Sequence, residues 1–510
     1  MSEVGVRGAT GSLPAASRRE IRILQAALAV LVSLRLVLAL GMAPIGDEAY
    51  YWLWGQHPDL SYYDHPPLNA WLQGLMSVLF GWNLFSLRLL GWITSGATVY
   101  LLYLWSRRLY GDGWERMFWI GTLAFFATPL FYIHSHMMFM DHLLIPLVLW
   151  SLLHFSSFFE AWHRGEARWR ELYIAAAIMG LAALTKYNAV FLAAGVALYI
   201  LGNRRRRQLL FRPQLYLAAL TTIAVLTPVI VWNFQHKLAS ISYNLVERQT
   251  DLLAPSLGNV RVFVLQTLLY LSPFMLWPLL KVLAFTKAEP GFSRAALGLA
   301  RMTFAVSTLA VLAIASIGGA GAYWNIVAYV PLTPFMAAAM GARVQLALHY
   351  VYCLLIVGAL GFNYVVAPIE AHYRTPDWES SVVHGWDQVK SEVAAAEARY
   401  KPDFIAATRY TLAAQLAFAR GRDDVTSLSS RVDQFDFWWR PEEHVGQTAL
   451  ILTDRENPID EDTAAQFQSI EEVVSFDIVR LGRVINTFRL QLARGYVAPR
   501  MMTPSNPAAP

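Results

Sequence analysis

The sequence predicts a polytopic α-helical membrane protein of about eleven spans, ending in a small α/β domain outside the cytoplasm. Three observations carry this expectation. Hydrophobic residues make up 56% of the 510 positions and charged residues only 15%, against roughly 25% charged in soluble domains. Mean hydropathy is +0.38 over the whole length, tail included. The apolar residues come in runs of about 20, the length that crosses a bilayer as a helix, until about residue 366, after which charge returns. Conventional soluble, disordered and fibrous proteins are excluded.

The first apolar run, 21–42, follows a polar segment carrying Arg18, Arg19 and Arg22. It is too long for a cleaved signal core and leads into Pro44 and an acidic turn, so it reads as a retained anchor. Further spans are expected at 86–106, 115–132, 141–159, 171–184, 188–201, 214–232, 261–282, 298–318, 326–341 and 345–366. The fifth and sixth spans are short and joined by the tight turn Leu184-Thr185-Lys186-Tyr187-Asn188. The organisation is then an N-terminal segment 1–20, a membrane domain 21–366 with a first outer loop 43–85 holding amphipathic helices, a soluble domain 367–500, and a loose end 501–510. In the tail, DFIAAT, TALILTD, VVSFDIV and RVINTFRL read as strands, and WDQVKSEVAAAEARY and YTLAAQLAFAR as helices. No internal repeat is visible.

Orientation follows from the basic residues. Arg107, Arg108, Arg116, Arg164, Arg168, Arg170, the run Arg204–Arg207, Arg212, Lys281, Lys287, Arg294 and Arg301 join the N-terminal arginines on one side. The positive-inside rule makes that side cytoplasmic. An odd number of spans then puts the tail across the membrane, in the periplasm of a bacterium with two membranes. The net charge of +5 is a product of this topology and gives no reason to expect nucleic acid. With Cys353 the sole cysteine, no intrachain disulfide is possible.

Acids and imidazoles gather on the other side. Asp47, Glu48, His57, Asp59, Asp64 and His65 fall in the first outer loop, and His134, His136, Asp141 and His142 at the second. Lys186 and Asn188 mark the third, Asn233, His236, Lys237, Glu247 and Arg248 the fourth, and Tyr323, Trp324 and Asn325 the fifth. Loops are polar in any case, but titratable groups converging on one membrane face point to function. Tyr50, Tyr51, Trp52 and Trp54 fit an interfacial aromatic belt. Tyr63-Asp64-His65-Pro66-Pro67 sets an Asp-His pair on stiffened backbone that launches another helix.

These residues carry a resemblance. The pattern DEAYYW…YYDHPPL (47–52 and 62–68) resembles the GT-C glycosyltransferases of the protein mannosyltransferase and lipid A aminoarabinose transferase superfamily, in its bacterial branch. FMDHLLIPLVLW (139–150), GLAALTKYNAV (180–190), TPVIVWNFQHKLASISYNL (227–245), YWNIVAYVPL (323–332), PDFIAATRY (402–410) and DQFDFWW (433–439) extend it in order along the chain.

The resemblance implies a GT-C membrane core, a soluble extracytoplasmic C-terminal domain, and transfer of a sugar from a polyprenyl-phosphate carrier, usually with inversion. It implies Asp47 as catalytic base, and Asp64 with His65 at the carrier phosphate or a divalent metal. The aminoarabinose branch has a Glu-Lys pair where this chain has Asp64-His65. Chemically, a phosphate leaving group needs little acid help; the acceptor hydroxyl needs a base and the departing phosphate a cation. Lys186 and Arg248 can supply the cation, although a snorkelling lysine and a solvated arginine explain them as well. Tyr63 and Glu48 complete the donor-side set. A Zn, Mn or Mg site is conceivable from Asp64, His65, Asp141 and His236, a carboxylate–imidazole mixture; interfacial histidines are the plainer alternative. Asp436, Trp438 and Asn325 are candidates on the acceptor side, with domain packing the competing explanation for Trp438.

The expected function is an inverting glycosyltransferase acting on lipid A, lipopolysaccharide core or another envelope glycan in the bacterial inner membrane. A protein O-glycosyltransferase is the nearest alternative, and a transporter of lipid-linked sugars a distant one, disfavoured because transporters put polar groups near the bilayer midplane.

Overall fold

The computed structural model describes residues 5–6, 17–245, 255–340 and 343–497. Arg248 and Glu247, and the end 501–510, lie outside the described residues. Contacts divide the chain into two compact units. One, helical, takes residues 1–36, 59–72 and 88–358; the other takes 37–58, 73–87 and 359–510.

Among the described residues, five segments are long and apolar enough to cross a membrane: Arg18–Gly41, Leu84–Phe126, Asp141–Arg164, Phe292–Gly318 and Arg343–Val366. Arg18–Gly41 has 24 residues, which at the α-helical rise is about 36 Å and exceeds a hydrocarbon core of about 30 Å. Two bent pairs raise the number to seven if each is one span. Pro213–Val225 and Thr227–Gln235 meet at 55°, where Pro228 lacks an N–H and its ring crowds the preceding turn. Leu257–Leu271 and Pro273–Phe285 meet at 95°; Ser272 sits at φ +70°, and its Oγ accepts the Phe274 N–H at 3.3 Å. A count of eleven also includes short and broken helices. Trp169–Ala183 and Val190–Leu201 flank the Lys186 turn, and 326–339 is split into Ile326–Tyr329, a 3-10 turn and Thr333–Ala339. Strands β1 (Gly5–Val6) and β2 (Lys287–Ala288) form a minimal parallel pair.

The second unit holds a five-stranded sheet. Its strands are β3 (Phe404–Ala407), β4 (Val425–Ser427), β5 (Ala449–Asp454), β6 (Phe467–Arg480) and β7 (Arg483–Tyr496), in the order β4-β3-β5-β7-β6. β3 runs parallel to both neighbours and β5 antiparallel to β7. The central strands FIAA and ALILTD are buried at every position, as continuous apolar runs require. β6 is largely exposed or half-buried and presents Glu471 and Glu472 at the sheet edge, where charge discourages further pairing. Leu481 and Gly482, both at positive φ, close the β6–β7 hairpin in two residues. The helices Trp386–Tyr400 and Tyr410–Arg420 complete this α/β layer.

The first outer loop contributes to the same unit. Gly46–Trp54 is a nine-residue helix, nearly all of it buried. It packs on Tyr410–Arg420 so closely that a Cβ at Gly46 would stand 2.5 Å from Thr411 Cβ.

Candidate active site

In the helical unit the centre of the site is an ion pair. Asp141 opens the helix Asp141–Arg164, and Lys186 ends the turn after Trp169–Ala183 in extended backbone. Lys186 Nζ donates to both carboxylate oxygens of Asp141, at 2.9 and 2.8 Å. Both side chains are buried, at 8% and 1% exposure. His134 Nδ1 approaches the same carboxylate at 3.4 Å and stacks on Tyr323, ring centroids 5.0 Å apart. Lys186 Nζ also lies 5.1 Å from the Tyr323 ring centre. A cation buried in a membrane unit survives only when so compensated.

Around this pair a polar lattice fixes the backbone. His142, next to Asp141, is held by Asn69 Oδ1 and Thr94 Oγ1, each at 3.1 Å. Asn69 Nδ2 donates to the Met138 carbonyl, and the Leu68 N–H to the Leu184 carbonyl, tying the first outer loop to the Lys186 turn. Asp64 is buried, and its carbonyl accepts from Asn244. Tyr63 packs against Tyr243 at 4.7 Å. Asp59 accepts from Trp232 Nε1 through its carboxylate and from Trp71 Nε1 through its carbonyl. Burial pushes the Tyr62 hydroxyl well above the ordinary tyrosine range, with the Asp59 amide hydrogen bond opposing.

Arg35 was not singled out by the sequence. It lies inside the first apolar helix, buried, with Nη1 on Ser95 Oγ at 2.6 Å and Nη2 on the carbonyls of Gly91 (3.0 Å) and Ser135. Its guanidinium stacks over Trp92 at 4.5 Å. Ser135 closes the helix Pro129–His136, so Arg35 binds the negative end of that helix just before Asp141. The lone arginine in an apolar run was the signal for it.

Several candidates are engaged differently from expectation. His236 stacks on Trp232 at 4.2 Å, and its Nδ1 pairs with the Trp232 carbonyl at 2.9 Å. Asp141 is committed to Lys186. Among the described residues no group of three or more His, Cys, Asp or Glu side chains comes together as a metal site. Asp64, His65, Asp141 and His236 therefore do not assemble into the donor set considered from sequence. Asn325 is fully buried, with its amide bonded to Ser307, Thr308 and Tyr329, which leaves it no exposed group to offer an acceptor.

In the second unit, Asp47 and Glu48 diverge. Glu48 is fully buried and its Oε2 accepts the Ile45 N–H at 3.2 Å, closing the first turn of Gly46–Trp54. Asp47, half-buried, accepts the Tyr410 hydroxyl at 3.4 Å. Asp436 Oδ2 accepts the Asp433 N–H at 2.7 Å. Burial raises the Asp436 carboxyl above the usual range, with that amide opposing. Asp436 is thereby a capping residue of the 433–437 turn, and Trp438 stacks on His57 at 4.2 Å, consistent with packing.

A family model of dolichyl-phosphate-mannose-protein mannosyltransferases matches residues 64–232. A lipid A galacturonosyltransferase, RgtD, of Rhizobium johnstonii is 31% identical over 191 residues, 37% of this chain and 38% of the relative. An undecaprenyl phosphate-alpha-4-amino-4-deoxy-L-arabinose arabinosyl transferase of Pseudomonas savastanoi is 30% identical over 181 residues, 35% of this chain and 32% of the relative. The chain thus aligns with well under half the length of either. The crystal structure of ArnT from Cupriavidus metallidurans bound to undecaprenyl phosphate superposes with a TM-score of 0.60 at 15% identity, covering 92% of this chain and 98% of that one. The chain is thus similar to GT-C glycosyltransferases over part of its length and has the fold of that structure.

The matched stretch contains Asp64, His65, Asp141, Lys186 and Trp232, so the buried ion pair lies wholly within it. Asp47 and the sheet domain fall outside it. Tyr410 stands in the PDFIAATRY motif, but the sequence gives it no role because its link to Asp47 spans 363 residues.

Proposed function

We propose that the protein is an inverting glycosyltransferase that moves a sugar from a polyprenyl-phosphate carrier to a lipid A or lipopolysaccharide acceptor on the outer face of a bacterial inner membrane. The observation that carries this reading is the buried Lys186–Asp141 pair. It holds a cation inside a membrane unit, preorganised for an anionic group that leaves there. Relatives named for lipid A galacturonosyl transfer and for an undecaprenyl-phosphate sugar supply the substrate class.

In this mechanism Lys186 stabilises the departing phosphate, with Asp64, His65, Tyr63 and Arg248 on the donor side. Asp47 takes the proton of the acceptor hydroxyl as it attacks the anomeric carbon. No step is routed through a metal. The topology that goes with it has about eleven spans, the arginine-rich loops inside and the sheet domain in the periplasm.

Asp47→Asn in the purified full-length protein should abolish transfer while carrier binding and folding persist. Full transfer by that variant overturns the base assignment. Mass analysis of lipopolysaccharide and of envelope proteins from wild-type and deletion strains separates acceptors: a sugar missing from lipopolysaccharide supports the reading. A sugar missing only from proteins replaces it with protein O-glycosylation.

A further inference from the structure

We propose that Tyr410, from the sheet domain, is a positioning residue for Asp47. The inference rests on the reading of Asp47 as base and deepens it, because it makes the soluble domain part of the transfer machinery.

The geometry is local to one unit. Tyr410 is the first residue of the helix Tyr410–Arg420, and its hydroxyl donates to Asp47 Oδ1 at 3.4 Å. That is long for an O–H···O bond, as catalytic contacts often are before substrate binds. The Tyr410 ring is itself held. Tyr50, one turn beyond Asp47, packs on it at 4.6 Å, and the Arg431 guanidinium stands 4.8 Å from its centre. A cation against the ring draws charge from the phenol and strengthens its hydroxyl as a donor.

The segment bearing Asp47 is clamped by the same domain at three further points. Gln415 Nε2 donates to the Pro44 carbonyl at 2.9 Å. The Gln434 N–H donates to the Tyr50 hydroxyl at 2.6 Å. Gly46 lets the two helices touch, backbone to side chain. A base must be held within about half an ångström of its productive position, and a nine-residue helix on a loop cannot do that alone. These contacts do it.

During transfer the acceptor oxygen forms its bond to the anomeric carbon. The bond from that carbon to the phosphate oxygen breaks, its electron pair leaving with the phosphate, and the acceptor proton passes to Asp47. Tyr410 keeps its proton throughout. Its hydrogen bond favours the ionised carboxylate over the protonated one and fixes which way the carboxylate faces.

The test uses the full-length protein in lipid nanodiscs with a polyprenyl-phosphate sugar as donor. Tyr410→Phe keeps the ring and removes the hydroxyl. It should lower kcat by about tenfold, leave the KM for the donor within about twofold, and move the acid limb of the rate profile to higher pH. A purely structural role would not move that limb. Replacing the Tyr410 phenol with 3-fluorophenol, a stronger donor, should move it to lower pH with the fold intact. Unchanged kcat and an unmoved limb in both variants, beside an inactive Asp47→Asn, overturn the role of Tyr410 alone. An active Asp47→Asn overturns the base assignment itself, and the two failures are told apart by that single variant.

Discussion

Lys186 spends two of its three N–H groups on Asp141, bonding both carboxylate oxygens, and turns toward the ring of Tyr323. Both side chains are buried, at 8% and 1% exposure, so each charge depends on the other. Lys186→Met leaves Asp141 buried without its cation and should cost about 3–5 kcal/mol of stability. Adding Asp141→Asn removes the stranded charge and should return most of that stability. Transfer should stay absent in the double variant if Lys186 is, as proposed, the cation for the departing phosphate. Thermal unfolding and transfer assays on the two variants check both halves, and a double variant as unstable as the single one contradicts the account.

Arg35 joins three segments with one rigid fork: Ser95 and Gly91 on one helix, Ser135 at the end of another. The crossing is close at Gly91, where a Cβ would stand 2.3 Å from the terminal Cε of Met138 and 3.2 Å from the Ser135 carbonyl oxygen. Lysine offers a point charge in place of the fork. Arg35→Lys should therefore lose at least one of these bonds and cost about 1–3 kcal/mol, with reduced transfer because the released turn precedes Asp141. Unfolding curves matching wild type would refute this.

His57 and Asp423 make a pH-sensitive contact. Their atoms are 3.2 Å apart and both side chains are over one-third exposed. Burial lowers the His57 pKa below its usual 6.5, and Asp423 partly restores it. A lowered folded-state value means that the unfolded chain binds the proton more readily. The stability contributed by burying neutral His57 is then complete above about pH 6.5 and declines as pH falls toward the folded-state value. Asp423→Asn removes the partner that raises the pKa and should widen the acid-sensitive window, whereas His57→Gln should abolish it. Hydrogen exchange over residues 46–58 at neutral and mildly acidic pH measures this, and equal acid sensitivity in all three proteins rules it out.

Local signals in the sequence were enough for the apolar runs, the strand segments of the tail and the density of acids near Asp47. They also marked Lys186, because a lysine between two short apolar helices is conspicuous. Helix continuity was harder to read. Pro228 and Pro273 sit inside runs of spanning length, and hydropathy averages over the 55° and 95° bends they produce. Partners were harder still. Asp141 and Lys186 are 45 residues apart and Asp47 and Tyr410 are 363 apart, so no spacing rule connects them. The division of labour between Asp47 and Glu48 was likewise hidden, because it depends on which carboxylate turns back to the Ile45 amide. The four metal candidates came from separate loops without ligand spacing, and the tertiary contacts of Asp141 and His236 took them elsewhere.

Gly46 is the point where the helix carrying Asp47 and the sheet domain touch. A Cβ there would come within 2.5 Å of Thr411 Cβ and 2.7 Å of its Cγ2, closer than side chains tolerate. Thr411 belongs to a helix and cannot step aside without moving Tyr410 beside it. Gly46→Ala should therefore push the two helices apart, costing about 1–3 kcal/mol as overpacking does. It should also slow transfer, since Asp47 and Tyr410 both flank the collision. Thr411→Gly alone should cost only about 0.3 kcal/mol through helix propensity, because threonine is already a poor helix former, plus the packing its buried side chain loses. In combination with Gly46→Ala it vacates the colliding Cβ, so the double variant should be more stable than the sum of the singles predicts. Additive losses in that cycle would show that the helices do not meet at Gly46.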